Sequence, residues 1–408
     1  MLGMWRTLPC FSPRMRRNTS PGQNSSSMVE RVVNASKEDG DMAKYRAGVI
    51  GLGWMGMLSD LAGRIWDPYN VDDVDRPTPE LDIHRRFHLH EYHSTGTVPH
   101  SWAEVMWDRP EIDLVAGADR DRKRLEAFGE RYGEVALYTD AAEMLHTETL
   151  DLVAIATNTK GRADLTCLAV ACGVKGIATE KPMVHTLEEA DRMVDACAAA
   201  GVPLCCGAIP VNHPSYAKAK ELVNSNTIGE ILSIETEASN SQKQYWSYFV
   251  DSAPAWVIGV GDQPRRESGS DEFAGQGMMV TEDSKSIHFR KGAGVIRLTG
   301  TDGEIQFHSG PPGGWRLWQD MDTPEGQRRV EMTWHPPQFF GGYNAVYGLA
   351  DIIDCLEGRL NEPKNSGRRV AVALEVELGL KQSSAQGGVR VDLPLKDRSL
   401  GLHYDWFR

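Results

Sequence analysis

Apolar positions along the chain follow two regimes, and the change between them divides it. From Tyr45 to about residue 207, short β-branched or apolar runs at 47–50, 114–117, 152–157, 176–178 and 203–207 read as strands. Helical periodicity fills the spaces at 121–132, 162–172 and 186–200, the last opened by Thr186 with Glu188 and Glu189 in its first turn. Strand and helix alternating in this way imply a parallel sheet covered on both faces, an α/β architecture. Beyond 207 the order changes. A helix at 216–224 is followed by strand-like stretches at 231–238, 277–281, 286–289, 294–298 and 303–307, with Thr301-Asp302-Gly303 as hairpin turn chemistry. Two helices near 345–356 and 370–384 close the chain. This half reads as an α+β domain with a mostly antiparallel open sheet. The division is therefore 1–42, a disordered extension; 43–206, the parallel-sheet domain; and 207–408, the α+β domain serving substrate and oligomerisation.

Composition supports that picture and removes several function classes. At 408 residues, with 41% hydrophobic and 25% charged residues, the chain is long enough for two globular cores. Lys plus Arg number 44 against 57 Asp plus Glu, and a net charge of −13 repels a phosphate backbone, so no nucleic-acid partner is expected. No apolar run approaches the roughly 18 residues needed to span a bilayer, so no membrane role is expected. Seven cysteines, without CxxC spacing, read as reduced thiols and favour a cytoplasmic location. The first 41 residues are rich in Ser, Pro and Asn and lack periodicity. Arg6, Arg14, Arg16 and Arg17, with no acid before Glu30, resemble an organellar transit peptide, while an over-extended start with Met42 as the true first residue explains the segment as well.

Gly51-Leu52-Gly53-Trp54-Met55-Gly56 directly follows the first strand and opens a helical segment, the context that a dinucleotide fingerprint requires. Gly51 permits the tight turn, Gly53 lets backbone approach a pyrophosphate, and Gly56 lets helix and strand pack closely. At the end of the second strand Asp119 is placed to hold the adenosine ribose hydroxyls. A carboxylate there favours NAD over NADP, although Arg120 could rest on the adenine or tolerate a 2′-phosphate. The competing role for Asp119 is a helix N-cap. Gly56 and Asp119 are farther apart than usual because 67–110 form an insertion carrying His84, His88, His90, His93 and His100. Its ligand spacing matches no recognised metal site, so we expect none there, and solvated decoration or a subunit contact is the better reading.

Thr179-Glu180-Lys181-Pro182 follows the strand at 176–178, which delivers Glu180 and Lys181 to the carboxyl edge of the sheet, where ligands of such folds bind. A lysine beside a nicotinamide and away from water can exchange a proton with a substrate alcohol or carbonyl. His213, in IPVNHP near the entrance to the second half, is a further candidate base. Trp315, Trp318 and Trp334 lie in a Gly/Pro-rich stretch and suit a carbohydrate-facing or lid role, or packing across a subunit boundary.

These segments together resemble the glucose-fructose oxidoreductase and inositol dehydrogenase family, Gfo/Idh/MocA. The matching pieces are AGVIGLGWMG, the ADRD at 118–121, the stretch from VAIATNTKG to EKPMVHTLEEADRMV, and SGRRVAVALEVELGLKQSS. EKP after a fifth strand of a Rossmann fold is the specific part. The resemblance implies an N-terminal Rossmann dinucleotide-binding domain and an NAD(P)-dependent oxidoreductase moving hydride at a hydroxyl or carbonyl of a sugar, cyclitol or polyol. It also implies Lys181 as catalytic lysine and an open sheet that forms homodimers or homotetramers. Two departures stand out. After the fourth strand Thr157 is followed by Asn158 where the family has Thr-Pro, and Arg162 stands where it has His. The GxHxxD segment has no counterpart: Ser241 falls near its His and Gln244 near its Asp, and neither is a general base. That stretch still supplies Asn240, Gln242, Gln244, Tyr245 and Trp246, suited to hydrogen-bonding hydroxyls and stacking on a sugar. Two alternatives remain: a non-catalytic dinucleotide-binding sensor or complex subunit, and a redox-neutral lyase, epimerase or glycosidase that keeps NAD tightly bound.

Overall fold

A computed structural model describes residues 44–66, 77–79, 81, 99–237, 244–263, 271–290, 295–308, 314–338 and 344–404. The N-terminal extension, most of the insertion, Asn240, Ser241 and Gln242 lie outside the described residues.

Six short strands form the first sheet: β1 (Tyr45–Ile50), β2 (Ile112–Ala118), β3 (Ala136–Tyr138), β4 (Leu152–Ile155), β5 (Gly176–Thr179) and β6 (Leu204–Cys206). They lie in the order β3-β2-β1-β4-β5-β6 and every pair is parallel. All residues of β4 and β5 are buried, as expected of central strands covered on both faces. The connecting helices are α1 (Ser59–Trp66), α2 (Trp102–Trp107), α3 (Arg122–Tyr132), α4 (Ala141–Thr147), α5 (Arg162–Ala171) and α6 (Leu187–Ala200). Their starts are chemically marked. Asp121 caps α3, Asp140 caps α4, and Thr186 with Glu189 forms a capping box on α6, which Gly201 ends in the left-handed region.

The second sheet has nine strands in the order β14-β13-β12-β11-β7-β10-β9-β8-β15. They are β7 (Ile231–Thr236), β8 (Pro254–Val260), β9 (Gln276–Thr281), β10 (Ser286–Phe289), β11 (Ile296–Gly300), β12 (Gly303–His308), β13 (Gly314–Thr323), β14 (Gly326–Met332) and β15 (Val391–Asp392). Only β7 and β10 pair in parallel. One face buries Ile234, Ile287, Leu298, Ile305, Phe307 and Trp315, with α7 (Pro214–Asn224) supplying Tyr216 to the same cluster. The opposite face carries a ladder of ion pairs, Arg290–Glu235–Arg297–Glu304–Arg329–Asp320. The mostly antiparallel open sheet expected from the pattern is therefore present.

Three features depart from the sequence reading. The helix α8 (Asn344–Leu356) returns to the first sheet, where Ala345, Leu349, Ile352 and Ile353 pack with Ala154, Ala178 and Cys205. A cut at 206/207 thus leaves one face of the parallel sheet to the second half of the chain. α9 (Gly367–Ala385) packs against β8, where a Cβ on Gly259 would sit 2.3 Å from the carbonyl of Leu380. The end of the insertion is core rather than decoration. Trp102, Ala103, Glu104, Val105 and Met106 of α2 are all buried, and the Asp60 carboxylate accepts from the backbone N–H groups of His100 and Ser101, at 3.1 and 2.6 Å. Trp315 is likewise a core residue, in β13, stacked on Phe307 and donating its Nε1–H to Ser215 Oγ at 2.9 Å, so it faces no carbohydrate.

Between α2 and α3, Glu104 and Arg131 form an ion pair at 2.6 Å with both side chains out of solvent, and the Tyr132 hydroxyl donates to the same carboxylate at 2.8 Å. Removing one partner strands a buried charge. Glu104→Ala is expected to cost about 3–5 kcal/mol in urea unfolding, and Glu104→Met with Arg131→Met to recover most of it. A single-variant cost below about 1 kcal/mol would contradict the role assigned to the pair.

Candidate active site

The glycine turn is shaped by contacts a side chain would break. Gly51 has φ +86°, and a Cβ there would meet Thr157 N at 2.8 Å. On Gly56 a Cβ would lie 1.9 Å from the carbonyl oxygen of Gly51, so helix and strand approach as closely as backbone permits. Gly53 differs. A Cβ there meets only Arg124 Nη1, at 3.8 Å, so its side of the turn is open. Gly53 occupies the cap position without a side chain to bond the first N–H groups, and the chain then runs through a wide π-type turn, Trp54–Leu58, into α1. An open glycine at a helix start is the cradle that a pyrophosphate requires, and the turn fits a dinucleotide. Leu52 is buried, while Trp54 and Met55 are half-buried beside it.

Asp119 belongs to this turn rather than to a helix cap. Its Oδ2 accepts from Leu52 N–H at 2.7 Å and its Oδ1 from Asp121 N–H at 2.9 Å; Asp121 is the residue that caps α3. Arg120 is exposed beside it. Arg124, one turn into α3, lies 3.6 Å from the Asp119 carboxylate as well as against Gly53. Sequence reading passed over Arg124, although its spacing from Asp121, three residues apart on a helix, was available as a signal.

At the carboxyl ends of β4 and β5 the organising group is Arg162, the first residue of α5. Its side chain is fully buried. Nη1 donates to the carbonyls of Glu180 and Pro182, and to that of Met183 at 3.2 Å, while Nη2 donates to the carbonyl of Thr157. Burial pushes its pKa down to about 10, against the pull of the Glu180 carboxylate. Glu180 is itself buried, which pushes its pKa up. Its Oε1 accepts from Trp102 Nε1–H at 2.8 Å and its Oε2 from the Lys181 N–H at 3.2 Å. Trp102 therefore carries the end of the insertion to the carboxyl edge. Lys181, between two anchored neighbours, is exposed. Gly207, after β6, lies alongside: with φ +94°, its Cβ would fall 3.2 Å from Lys181 Cβ. Asn158 is exposed and Thr157 half-buried on the adjoining loop. The motif glycines, Asp119, Thr157, Glu180 and Lys181 thus share one edge of one sheet.

The residues proposed from the second half fare differently. Gln244 is buried and its Nε2–H donates to Asn365 Oδ1 at 2.6 Å, while the Asn365 amide donates to the carbonyl of Cys206; its own Oε1 has no partner. Gln244 is therefore joined to the end of β6, one residue before Gly207. Trp246 is fully buried, edge-on to Phe289, and is removed from the sugar-stacking set by that packing. Trp334 is half-buried and stacks on Trp315. Among the described residues no cluster of three or more His, Cys, Asp or Glu forms a metal site; His84, His88, His90 and His93 lie outside them.

His213 is corrected from candidate base to helix cap. Its Nδ1 accepts from Ser215 N–H at 3.1 Å, which leaves the ring proton on Nε2, and a ring in that tautomer presents a donor rather than a base. Burial, with Lys364 nearby, pushes its pKa down to about 4.

Residues 95–208 match the model of the oxidoreductase family with an NAD-binding Rossmann fold, Gfo/Idh/MocA. Over 105 residues, 26% of the chain, it is 46% identical to a D-apiose dehydrogenase of Paraburkholderia graminis, and over 117 residues, 29% of the chain, 30% identical to a myo-inositol 2-dehydrogenase of Thermotoga maritima. These matches span 27% and 35% of the two relatives, so the chain covers about a third of their length. Among solved structures, an NAD binding oxidoreductase from Klebsiella pneumoniae superposes with a TM-score of 0.60 over 87% of the chain and 100% of its own, at 14% identity, a likeness of fold.

The His213 placement carries a pH consequence. In the unfolded chain it titrates near 6.5, in the folded protein near 4, so the folded state takes up its proton last. The contribution is complete above pH 6.5 and is lost as pH falls toward 4. Relative to His213→Asn, which keeps a capping side chain, wild type should lose about 2 kcal/mol of unfolding free energy between pH 7.5 and pH 5. Parallel curves for the two proteins across that interval would refute it.

Proposed function

We propose that the protein, whose residues 95–208 match the Gfo/Idh/MocA oxidoreductase family, is an NAD-dependent dehydrogenase or reductase acting on a sugar, cyclitol or related polyol. The observation that carries the reading is the placement of Lys181 on the same carboxyl edge as the open glycine turn, the two linked through Thr157 and Arg162. Gly51, Leu52, Gly53, Trp54, Met55 and Gly56 hold the pyrophosphate. Asp119 faces the adenosine ribose, and its carboxylate at the turn disfavours a 2′-phosphate, making NADP the poorer ligand. Thr157, Asn158 and Glu180 line the far end. Bound NAD supplies the hydride acceptor.

Lys181 exchanges the proton. In oxidation its Nζ takes the hydrogen of the substrate hydroxyl as the carbon-bound hydride leaves, and in reduction it returns that proton to the carbonyl oxygen. Asn240 and Gln242 read the remaining hydroxyls, while Gln244, buried against Asn365, ties that segment to the end of β6. The rival reading, a binding protein that has lost its chemistry, is not favoured, because relatives matched over this domain are named as dehydrogenases. The six described cysteines are free thiols, which supports a cytoplasmic site of action. Among the described residues no helix is long and apolar enough to cross a membrane. Assembly as a homodimer or homotetramer, with the open nine-stranded sheet as the contact element, is part of the same proposal.

Binding of NAD and of NADP is to be measured by titration, and turnover of a panel of pentoses, hexoses and cyclitols by nicotinamide absorbance. We expect NAD to bind more tightly, and Lys181→Ala to lower kcat by about 100-fold or more while shifting the Kd for NAD by less than about threefold. Normal NAD binding with no turnover of any panel member, and no product by mass spectrometry, would overturn the reading.

A further inference from the structure

Arg162 is the first residue of a helix, where basic side chains are disfavoured by the local dipole, and it points inward rather than into solvent. Burying a guanidinium is costly unless its N–H groups are answered, and the answer here consists of backbone oxygens. No carboxylate oxygen of a described residue pairs with it directly, and its Nε–H has no acceptor. A neutral amide donor could answer one or two of those carbonyls at lower desolvation cost, so adhesion of a single loop does not account for a charge at this place. The forked donor set does something a single donor cannot. Three of its carbonyl partners, those of Glu180, Pro182 and Met183, bracket Lys181 on both sides, and the fourth, that of Thr157, belongs to the loop pressed against Gly51.

We propose that Arg162 is the positioning residue of Lys181: one planar guanidinium fixes the lysine-bearing loop relative to the loop that closes on the glycine turn, and so sets where the lysine amine stands over the bound nicotinamide. The inference rests on the function proposed above and adds to it a residue that no part of the fingerprint contains. Glu180 completes the device from the other side, its carboxylate receiving the Lys181 N–H and the Trp102 indole N–H. Gly207 forms the remaining wall. Lys181 Nζ is then the mobile part of an otherwise fastened loop.

A positioning role separates kcat from binding. Arg162→Lys keeps the charge and loses the fork; it is expected to lower kcat by about 100-fold, with KM for the polyol and Kd for NAD each within about threefold of wild type. In Arg162→Ala, added guanidinium chloride should restore part of the lost kcat, and the same salt should do nothing for Lys181→Ala. Should Arg162→Ala fail to fold, as judged by circular dichroism and gel filtration, Arg162→Lys alone decides. An assay independent of turnover runs alongside: labelling of Lys181 by an amine-reactive reagent, read by peptide mass spectrometry with and without NAD. In wild type NAD should slow the labelling about tenfold, and in Arg162→Lys, saturated with NAD, that protection should disappear. If wild type shows neither turnover nor protection, the proposed function itself has failed. If wild type shows protection and Arg162→Lys retains it, or if Arg162→Lys keeps kcat within about twofold, the positioning role is overturned.

Discussion

Four backbone carbonyls from two loops converge on the buried guanidinium of Arg162, and the carboxyl edge of the parallel sheet depends on that convergence. Loop carbonyls that turn inward lose water and must be matched by donors. Arg offers five N–H groups in a rigid plane, so it can match carbonyls from separate stretches of chain in one arrangement. The arrangement is contiguous across the sheet. Gly51 abuts Thr157, Thr157 meets Arg162, Arg162 gathers the Glu180–Met183 loop, and Lys181 lies against Gly207. The glycine turn and the loop that carries Lys181 are thus placed by one continuous set of backbone contacts.

The second half reaches that edge through amides. Asn365 exchanges backbone and side-chain hydrogen bonds with Cys206 and accepts from Gln244, so an element outside the parallel sheet ends one residue from the glycine that walls Lys181. Where the family resemblance leads one to expect imidazole and carboxylate, the described residues present an amide pair and a histidine held as a helix cap. An amide can orient hydroxyls but cannot take a proton at neutral pH. On the function proposed above, the proton transfer then falls to Lys181.

Much of the scaffold was legible in the sequence because burial on two faces forces uninterrupted apolar strands and because helix starts carry their own chemistry. The strands at 47–50, 152–157 and 176–178 and the Thr186 capping box were found on those grounds. The glycine turn was legible because Gly51, at positive φ, and Gly56, packed on the Gly51 carbonyl, exclude side chains. Other elements left weaker signals. β3 has only three residues, with Leu137 exposed between two half-buried neighbours, and α2 is only six residues long and follows a long insertion, so neither shows a clear period. β14 is exposed along nearly its whole length and alternates little, while β13 alternates over Trp315, Arg316 and Leu317 before Trp318 breaks the period. Arg162 could be noticed as a departure from the family, but its partners lie up to 21 residues away and are backbone atoms, which no side-chain motif encodes. His213 misled because a histidine's role depends on which nitrogen is engaged, a property of its neighbours in space.

The helix Asn344–Leu356 covers β5 and β6 although about 140 residues of chain separate it from them. Synthesis on the ribosome therefore delivers all six parallel strands well before their missing layer emerges. Until residue 356 has left the exit tunnel, Ala154, Ala178 and Cys205 lack the side chains of Ala345, Leu349 and Ile352, and the nascent sheet shows solvent an apolar surface. A fragment ending at residue 206 would leave Ala154, Ala178 and Cys205 without the side chains that cover them in the full chain.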